Sequence, residues 1–224
     1  MLTSKEIIVA IPALNAGKTL EKVLAEVSMH VARNQIVVVN DGSSDDTAAR
    51  AERWGVVLLN HEKNFGKGAA LKTAFAYVLR RTAAQALITL DADSQHAPRE
   101  IPLFVQAFYQ DACDLVIGAR KFARGVMPVM RIMSNFLTSK LIGWKVKRPI
   151  QDSQSGYRLY SRRLLQALQL QTCGYETESE VLFQACRSGM RLSFVPISTI
   201  YNGETSHIRG LRDVLKFLRL YIKS

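Results

Sequence analysis

The chain has 224 residues, 48% hydrophobic and 22% charged, with 30 Lys+Arg against 19 Asp+Glu and a formal net charge of +11. That length buries a substantial core in one domain. No run of eighteen apolar residues is present to cross a bilayer as a helix, and no internal repeat, low-complexity run or linker interrupts the chain. Met1 to Glu6 lead directly into a strand, with no signal peptide. Cys113, Cys173 and Cys186 are widely spaced and carry no metal or redox pattern. They fit a reduced, cytoplasmic setting.

Short apolar runs alternate with helix-like segments. Strands are expected at Ile7–Pro12, Ile36–Asn40, Val56–Asn60, Ala86–Leu90 and Asp114–Gly118. Helices are expected between them, near Thr19–Val31, Asp46–Trp54, Lys67–Arg81 and Arg99–Gln110. A strand at Gly156–Ser161, a helix at Glu178–Ser188 and a strand at Arg191–Pro196 follow. This alternation predicts an α/β fold, a Rossmann-like, mostly parallel sheet flanked by helices.

The strand ends carry the chemistry. The fourth strand runs into Asp91-Ala92-Asp93-Ser94-Gln95-His96. In an open α/β sheet, ligands sit at the carboxyl ends of strands. Two carboxylates there repel each other unless a cation lies between them, and hard divalent cations are held by one or two carboxylates plus substrate phosphates. The second strand ends at Asn40-Asp41-Gly42-Ser43-Ser44-Asp45, where Asp45 or Ser44 suits a helix cap and Asp41 is placed to contact a base or ribose. The first ends at Pro12-Ala13-Leu14-Asn15. Three such ends on one sheet edge read as a nucleotide pocket with a metal.

Those motifs, with Asn64-Phe65-Gly66-Lys67-Gly68 between them, fall in order at natural spacing. Together they resemble a family 2 glycosyltransferase of the GT-A fold, and within it the dolichol-phosphate mannosyltransferase-like group of polyprenyl-phosphate sugar synthases. The resemblance runs from about Ile7 to about His207 and implies one glycosyltransferase domain over residues 1–224. It implies Asp91, Asp93 and Gln95 as ligands of Mg2+ or Mn2+, with Asp93 catalytic. It also implies Pro12, Ala13, Asn15, Asp41, Asp91, Ala92 and Asp93 as the nucleotide-sugar site. Lys67 is either a phosphate contact or a solvated helix-start lysine.

The acceptor decides whether a general base is required. A sugar hydroxyl needs a carboxylate in reach; a phosphate monoester is already ionised and needs cations to position it. Arginine suits that task because its planar fork donates in pairs. The resemblance places the acceptor phosphate near Arg120, Arg131, Asn135 and His207, with Arg131 and Asp152 in the reaction zone. Asp152 either orients the acceptor loop, pairs with Arg158 or acts as base. Glu176 and Glu178 open a helix, where carboxylates suit the positive dipole end; they are the other base candidates. Tyr201 and His207 stand where the group carries Arg and Lys, which removes fixed positive charge near the diphosphate.

Charge is unevenly divided. Residues 1–118 carry 12 Lys+Arg and 13 Asp+Glu, residues 119–224 carry 18 and 6. A basic half can meet anionic lipid or a phosphorylated acceptor; no nucleic-acid motif accompanies it. Val126 to Lys147 mixes Met, Phe, Leu and Trp with flanking Lys. A basic amphipathic helix is expected at about 209–223, with Leu211, Val214, Leu215, Leu218 and Ile222 at helical spacing beside Arg212, Lys216, Arg219 and Lys223. Either segment can lie on a membrane surface or pack on the domain, and the second can instead join a homo-oligomer.

These readings and the resemblance converge on a metal-dependent transfer of hexose from a nucleoside diphosphate sugar (GDP-mannose or a UDP-sugar) to a polyprenyl phosphate, with the inversion that the resemblance implies. The enzyme would be peripheral at the cytosolic membrane face, reaching its lipid by surface helices or a membrane-protein partner. The alternatives are transfer to a sugar hydroxyl and a nucleotide-sugar-binding protein without turnover. A nucleotidyltransferase would open with a Gly-rich loop after the first strand, and none is present.

Overall fold

The computed structural model describes residues 6–120, 129–198, 200 and 210–223, with backbone only for residues 129, 131 and 210–213. Seven strands form one sheet: β1 (Ile7–Ala13), β2 (Ile36–Asn40), β3 (Val57–Asn60), β4 (Ala86–Thr89), β5 (Leu115–Arg120), β6 (Arg158–Ser161) and β7 (Leu192–Ile197). The order is β3-β2-β1-β4-β6-β5-β7. Only β6 runs antiparallel to its neighbours. The helices are α1 (Leu20–Val27), α2 (Thr47–Arg53), α3 (Lys67–Arg81), α4 (Ile101–Gln110), α5 (Val129–Val146), α6 (Arg162–Ala167), α7 (Thr177–Arg187) and α8 (Gly210–Lys223).

Strand side chains alternate between two cores, as the two-residue period requires. Ile7, Val9 and Ile11 face one core with Leu20, Val23, Leu24, Phe104 and Tyr157. Ile8 and Ala10 face the other with Leu71, Phe75, Leu164, Val181 and Leu182. The chain leaves β1 outward to β2 and β3, then returns to β4 on β1's other side. That reversal is the switch point where open α/β sheets bind ligands. The register sets Ala13 beside Asn40 and Ala10 beside Thr89, so the ends of β1, β2 and β4 lie together.

The elements match the expected ones with informative shifts. The first helix stops at Val27, short of Val31, and a turn at Arg33–Gln35 precedes β2. The helix expected from Arg99 begins as a single tight turn at Pro98–Glu100 and becomes α4 at Ile101, where Pro102 occupies an early position that needs no N–H partner. β5 continues two residues further than expected, to Arg120. Helix α6 was not anticipated. It starts immediately after β6 because Ser161 is both the last strand residue and the cap, its Oγ accepting the Leu164 N–H at 3.0 Å.

Candidate functional site

The loops after β1 and β2 lock together. The Asn15 N–H donates to Ser43 Oγ at 2.9 Å, and Asn15 Oδ1 accepts from the Ser44 N–H at 2.8 Å. Asn15 adopts φ 51°, a left-handed conformation that Asn tolerates. The Gly17 N–H reaches Asp45 Oδ2 at 2.9 Å, and Asp45 Oδ1 caps Thr47 at 3.0 Å. Slight burial would raise the Asp45 carboxyl, but these donors hold it below the ordinary range. Ala13 is buried, Pro12 half-buried and Asn15 exposed. The two loops therefore form one hydrogen-bonded rim at this edge of the sheet.

Asp41 sits differently from a residue waiting for a ribose. It is buried, and its carboxylate accepts the Phe65 N–H at 3.0 Å and the Gly66 N–H at 2.9 Å. His61 Nδ1 lies 2.6 Å from Oδ1, and His61 Nε2 lies 2.8 Å from Thr73 Oγ1. Asp41 thus shapes the loop leading into α3. That loop ends at Gly66, whose φ of 99° favours glycine and where a Cβ would come within 2.5 Å of the Cys173 carbonyl.

The acidic turn after β4 is built around a cation the sequence only hinted at. Lys67 Nζ lies 2.7 Å from Asp91 Oδ1 and 3.0 Å from Glu178 Oε1. It is neither solvated nor free to wait for phosphate. Burial would lower the Lys67 pKa, but Asp91 and Glu178 together raise it well above its ordinary value. Burial would raise the Asp91 pKa; Lys67, with smaller help from His96 and Arg120, holds it below the ordinary range. Gly156 is required here, since a Cβ would lie 2.7 Å from Lys67 Nζ. Ala92 is buried and its carbonyl accepts from Thr19 Oγ1 at 2.5 Å. Asp93 Oδ1 accepts the Gln95 N–H at 2.9 Å across Ser94, which adopts φ 60°.

His96 closes the turn from beneath. Burial lowers its pKa to about 4, so the ring is neutral near pH 7. Its Nδ1 accepts the Asp91 N–H at 3.1 Å, which leaves the proton on Nε2. The ring packs 5.1 Å from Tyr157, itself stacked on Phe104 at 4.2 Å.

On the far side, Arg120 at the end of β5 and Asp152 form a two-pronged pair. Nε donates to Oδ2 at 2.7 Å and Nη2 to Oδ1 at 2.9 Å. Asp152 is fully buried, and Arg120 holds its carboxyl below the ordinary range against the upward push of burial. The partner of Asp152 is Arg120, not Arg158. Arg158 is wholly buried and donates to the carbonyls of Ser153, Ser155 and Glu178 at 2.7–2.8 Å, tying the acceptor-side loop to α7. Asn135 lies on the inner face of α5. Its Oδ1 accepts from Ser139 Oγ at 3.3 Å, while its buried Nδ2 has no acceptor among the described residues. Arg131 lies on α5 with its side chain outside the described residues, as do Tyr201 and His207 entirely. Glu178 pairs with Lys67, so the helix dipole does not alone account for it.

No cluster of three or more His, Cys, Asp or Glu forms a complete metal cage among the described residues. The donor set Asp91, Asp93 and Gln95 is nonetheless all hard oxygen. That fits a magnesium- or manganese-type ion that completes its shell with water and substrate phosphate. Sequence reasoning missed the links from Lys67 to Glu178 and from Arg158 to three carbonyls. The Gly-Lys-Gly start of α3 was the available signal for the first; nothing local announced the second.

A seven-stranded α/β sheet with acidic and basic groups gathered at its switch point is the architecture of a nucleotide-sugar-dependent transferase. The chain belongs to glycosyl transferase family 2, matched over residues 8–169, and is a glycosyltransferase. It is 33% identical over 250 residues to a UDP-N-acetylglucosamine–dolichyl-phosphate N-acetylglucosaminyltransferase of Methanococcus voltae, covering 98% of this chain and 95% of that protein. It is 29% identical over 203 residues to a polyprenol monophosphomannose synthase of Mycolicibacterium smegmatis, covering 85% and 76% respectively. The fold matches that of glucosyl-3-phosphoglycerate synthase from Mycobacterium tuberculosis, crystallised with Mn2+, UDP and glucosyl-3-phosphoglycerate. The TM-score is 0.73 at 24% identity, over 97% of this chain and 77% of that one.

Proposed function

We propose that this glycosyltransferase moves a hexose from a nucleoside diphosphate sugar to a polyprenyl phosphate, with inversion at the anomeric carbon, at the membrane face where that acceptor lies. The observation that carries the choice of acceptor is the pairing of the carboxylates. Both Asp152 oxygens are held by Arg120, and Glu178 is held by Lys67. A hydroxyl acceptor would need one of them free to take a proton, or would have to use Glu176, the third candidate, which pairs with no cation among the described residues and whose buried Oε2 has no partner there; an ionised phosphate needs none of the three. The dolichyl- and polyprenol-phosphate acceptors named for the relatives support the same reading.

Pro12, Ala13 and Asn15 form the nucleotide rim in this reading, and Asp41 fixes the 61–66 loop beside it. Asp91, Asp93 and Gln95 would hold the divalent ion, which when bound supplies Lewis-acid charge at the diphosphate. Arg120, set in place by Asp152, would meet the acceptor phosphate together with Arg131, Asn135 and His207. His207 donates best when protonated. Lys67 keeps Asp91 ionised and fixed.

Purified protein is assayed with GDP-mannose, UDP-glucose and UDP-N-acetylglucosamine against polyprenyl phosphate and against free sugars, with manganese or chelator. Transfer to polyprenyl phosphate from one donor, abolished by chelator and by Asp93→Ala, is expected. Transfer to a sugar hydroxyl with none to the lipid phosphate overturns the acceptor. Metal-independent binding of nucleoside diphosphate by Asp93→Ala equal to that of the wild type is compatible with the metal site; manganese-dependent binding of unchanged affinity removes it.

A further inference from the structure

Helices α5 and α8 each carry an outward apolar face that stays exposed among the described residues. At the helical period of about 100° per residue, the inner face of α5 holds Asn135, Ser139 and Ile142, all buried. The opposite face holds Met130, Met133, Phe136, Leu137 and Trp144, with Met133 60% and Trp144 80% exposed. Lys140 stands within that face, its Nζ 5.5 Å from the Phe136 ring centroid. The α5 segment contains no acidic residue.

Helix α8 divides into three arcs. Phe217, Leu220 and Tyr221 pack on the core. Val214, Leu215, Leu218 and Ile222 follow over an arc of about 100°, all exposed, Ile222 by 80%. Lys216, Arg219 and Lys223 fill the next arc of about 60°, also exposed. The ends of the two helices are joined: Lys145 Nζ donates to the Tyr221 carbonyl and lies 4.6 Å from the Tyr221 ring centroid. Lys147 and Arg148 are exposed just beyond α5.

We infer that α5 and α8 together form a docking face for an anionic lipid surface, with the apolar arcs entering the headgroup boundary and the lysines and arginines meeting lipid phosphates. This deepens the proposed function by naming the surface that brings the site to its lipid-linked acceptor. An apolar arc flanked by cations, with an exposed Trp, is the composition of a helix that lies in the interface plane. A second copy of the chain is the competing occupant. Pairing these faces would set Lys140, Lys216, Arg219 and Lys223 against like charges, with no acidic partner on α5. An anionic surface has the complementary sign.

The chain has two tryptophans, so Trp54→Phe leaves Trp144 as the reporter. In this background, vesicles of phosphatidylglycerol and phosphatidylcholine should shift Trp144 emission to the blue and sediment with the protein. Vesicles of phosphatidylcholine alone should bind at least about tenfold less, each basic residue near an anionic surface adding measurable attraction. Leu218→Ser/Ile222→Ser and Lys216→Gln/Arg219→Gln/Lys223→Gln should each lose anionic-vesicle binding by about tenfold or more. Both should keep the wild-type melting temperature and transfer to a short-chain, detergent-dispersed acceptor. Equal uptake by neutral and anionic vesicles, or none by either, overturns the inference. So does a concentration-dependent dimer, seen by sedimentation, that the same substitutions dissociate while vesicles remain unbound. Because the short-chain assay bypasses the bilayer, its failure in the wild type speaks against the proposed acceptor and leaves the vesicle result to be judged separately.

Discussion

Asp152→Asn is the sharpest test of how the acceptor side works. The substitution keeps the shape of the side chain and removes one charge from a fully buried, two-pronged pair with Arg120, whose own side chain remains 20% exposed. At a 2.7 Å contact and an effective dielectric near 20, the gross attraction is about 6 kcal/mol, most of it offset by desolvation. Breaking one partner of a buried pair costs about 3–5 kcal/mol, and the partial exposure of Arg120 argues for the lower end, about 3 kcal/mol. For a chain of this size that is a fall in melting temperature of about 6–12 °C. Because the folded state holds the Asp152 carboxyl below its ordinary value of 3.8, its contribution is present above that pH and is lost as pH falls through the folded value. The gap between wild type and variant should therefore stay constant from pH 8 to pH 5 and close in stronger acid. In transfer assays the variant should lose turnover, with donor KM little changed. The wild-type pH–rate profile should show no acid limb near neutrality attributable to Asp152. A variant that melts within 2 °C of the wild type would refute the energetic argument. An acid limb between pH 6 and 7 that disappears in Asp152→Asn would make Asp152 a base and refute the reading of the pair as a positioning device.

Two further perturbations test the rest of the site and its frame. Lys67→Met leaves the buried Glu178 and the partly exposed Asp91 without their shared cation, so it should weaken manganese-dependent binding of nucleoside diphosphate by at least about tenfold and lower the melting temperature more at pH 8 than at pH 5; Lys67→Arg restoring metal response without transfer would separate charge from geometry. Ser161→Ala removes the cap of α6 and should cost about 1 kcal/mol by chemical denaturation, with unchanged nucleotide binding; a cost near zero would show that β6 holds α6 in place without it.

The positions of β1, β2 and β4 were legible because each is a short, near-continuous apolar run, and the acidic motifs could be placed because parallel strands present their ends on one edge. What could not be read is which charge meets which. Asp41 and Asp91 occupy equivalent places at two strand ends, yet Asp41 turns beneath its own loop to take two backbone N–H groups, while Asp91 faces Lys67. Nothing local distinguishes them; the difference arises from Gly66, which swings the 61–66 loop over β2, and from Gly156, which leaves room for an ammonium beside β4. Asp152 and Arg158, six residues apart, invited a local ion pair. The antiparallel insertion of β6 separates them instead, sending Arg158 into the interior to bind three carbonyls and leaving Asp152 to Arg120 across the sheet. An acidic motif in sequence thus becomes a base, a clamp or a brace according to the counter-charge that the topology delivers to it. In this chain the delivered partners are cations at Asp152 and Glu178, two of the three candidate bases, and it is that pattern which favours an acceptor that arrives already ionised.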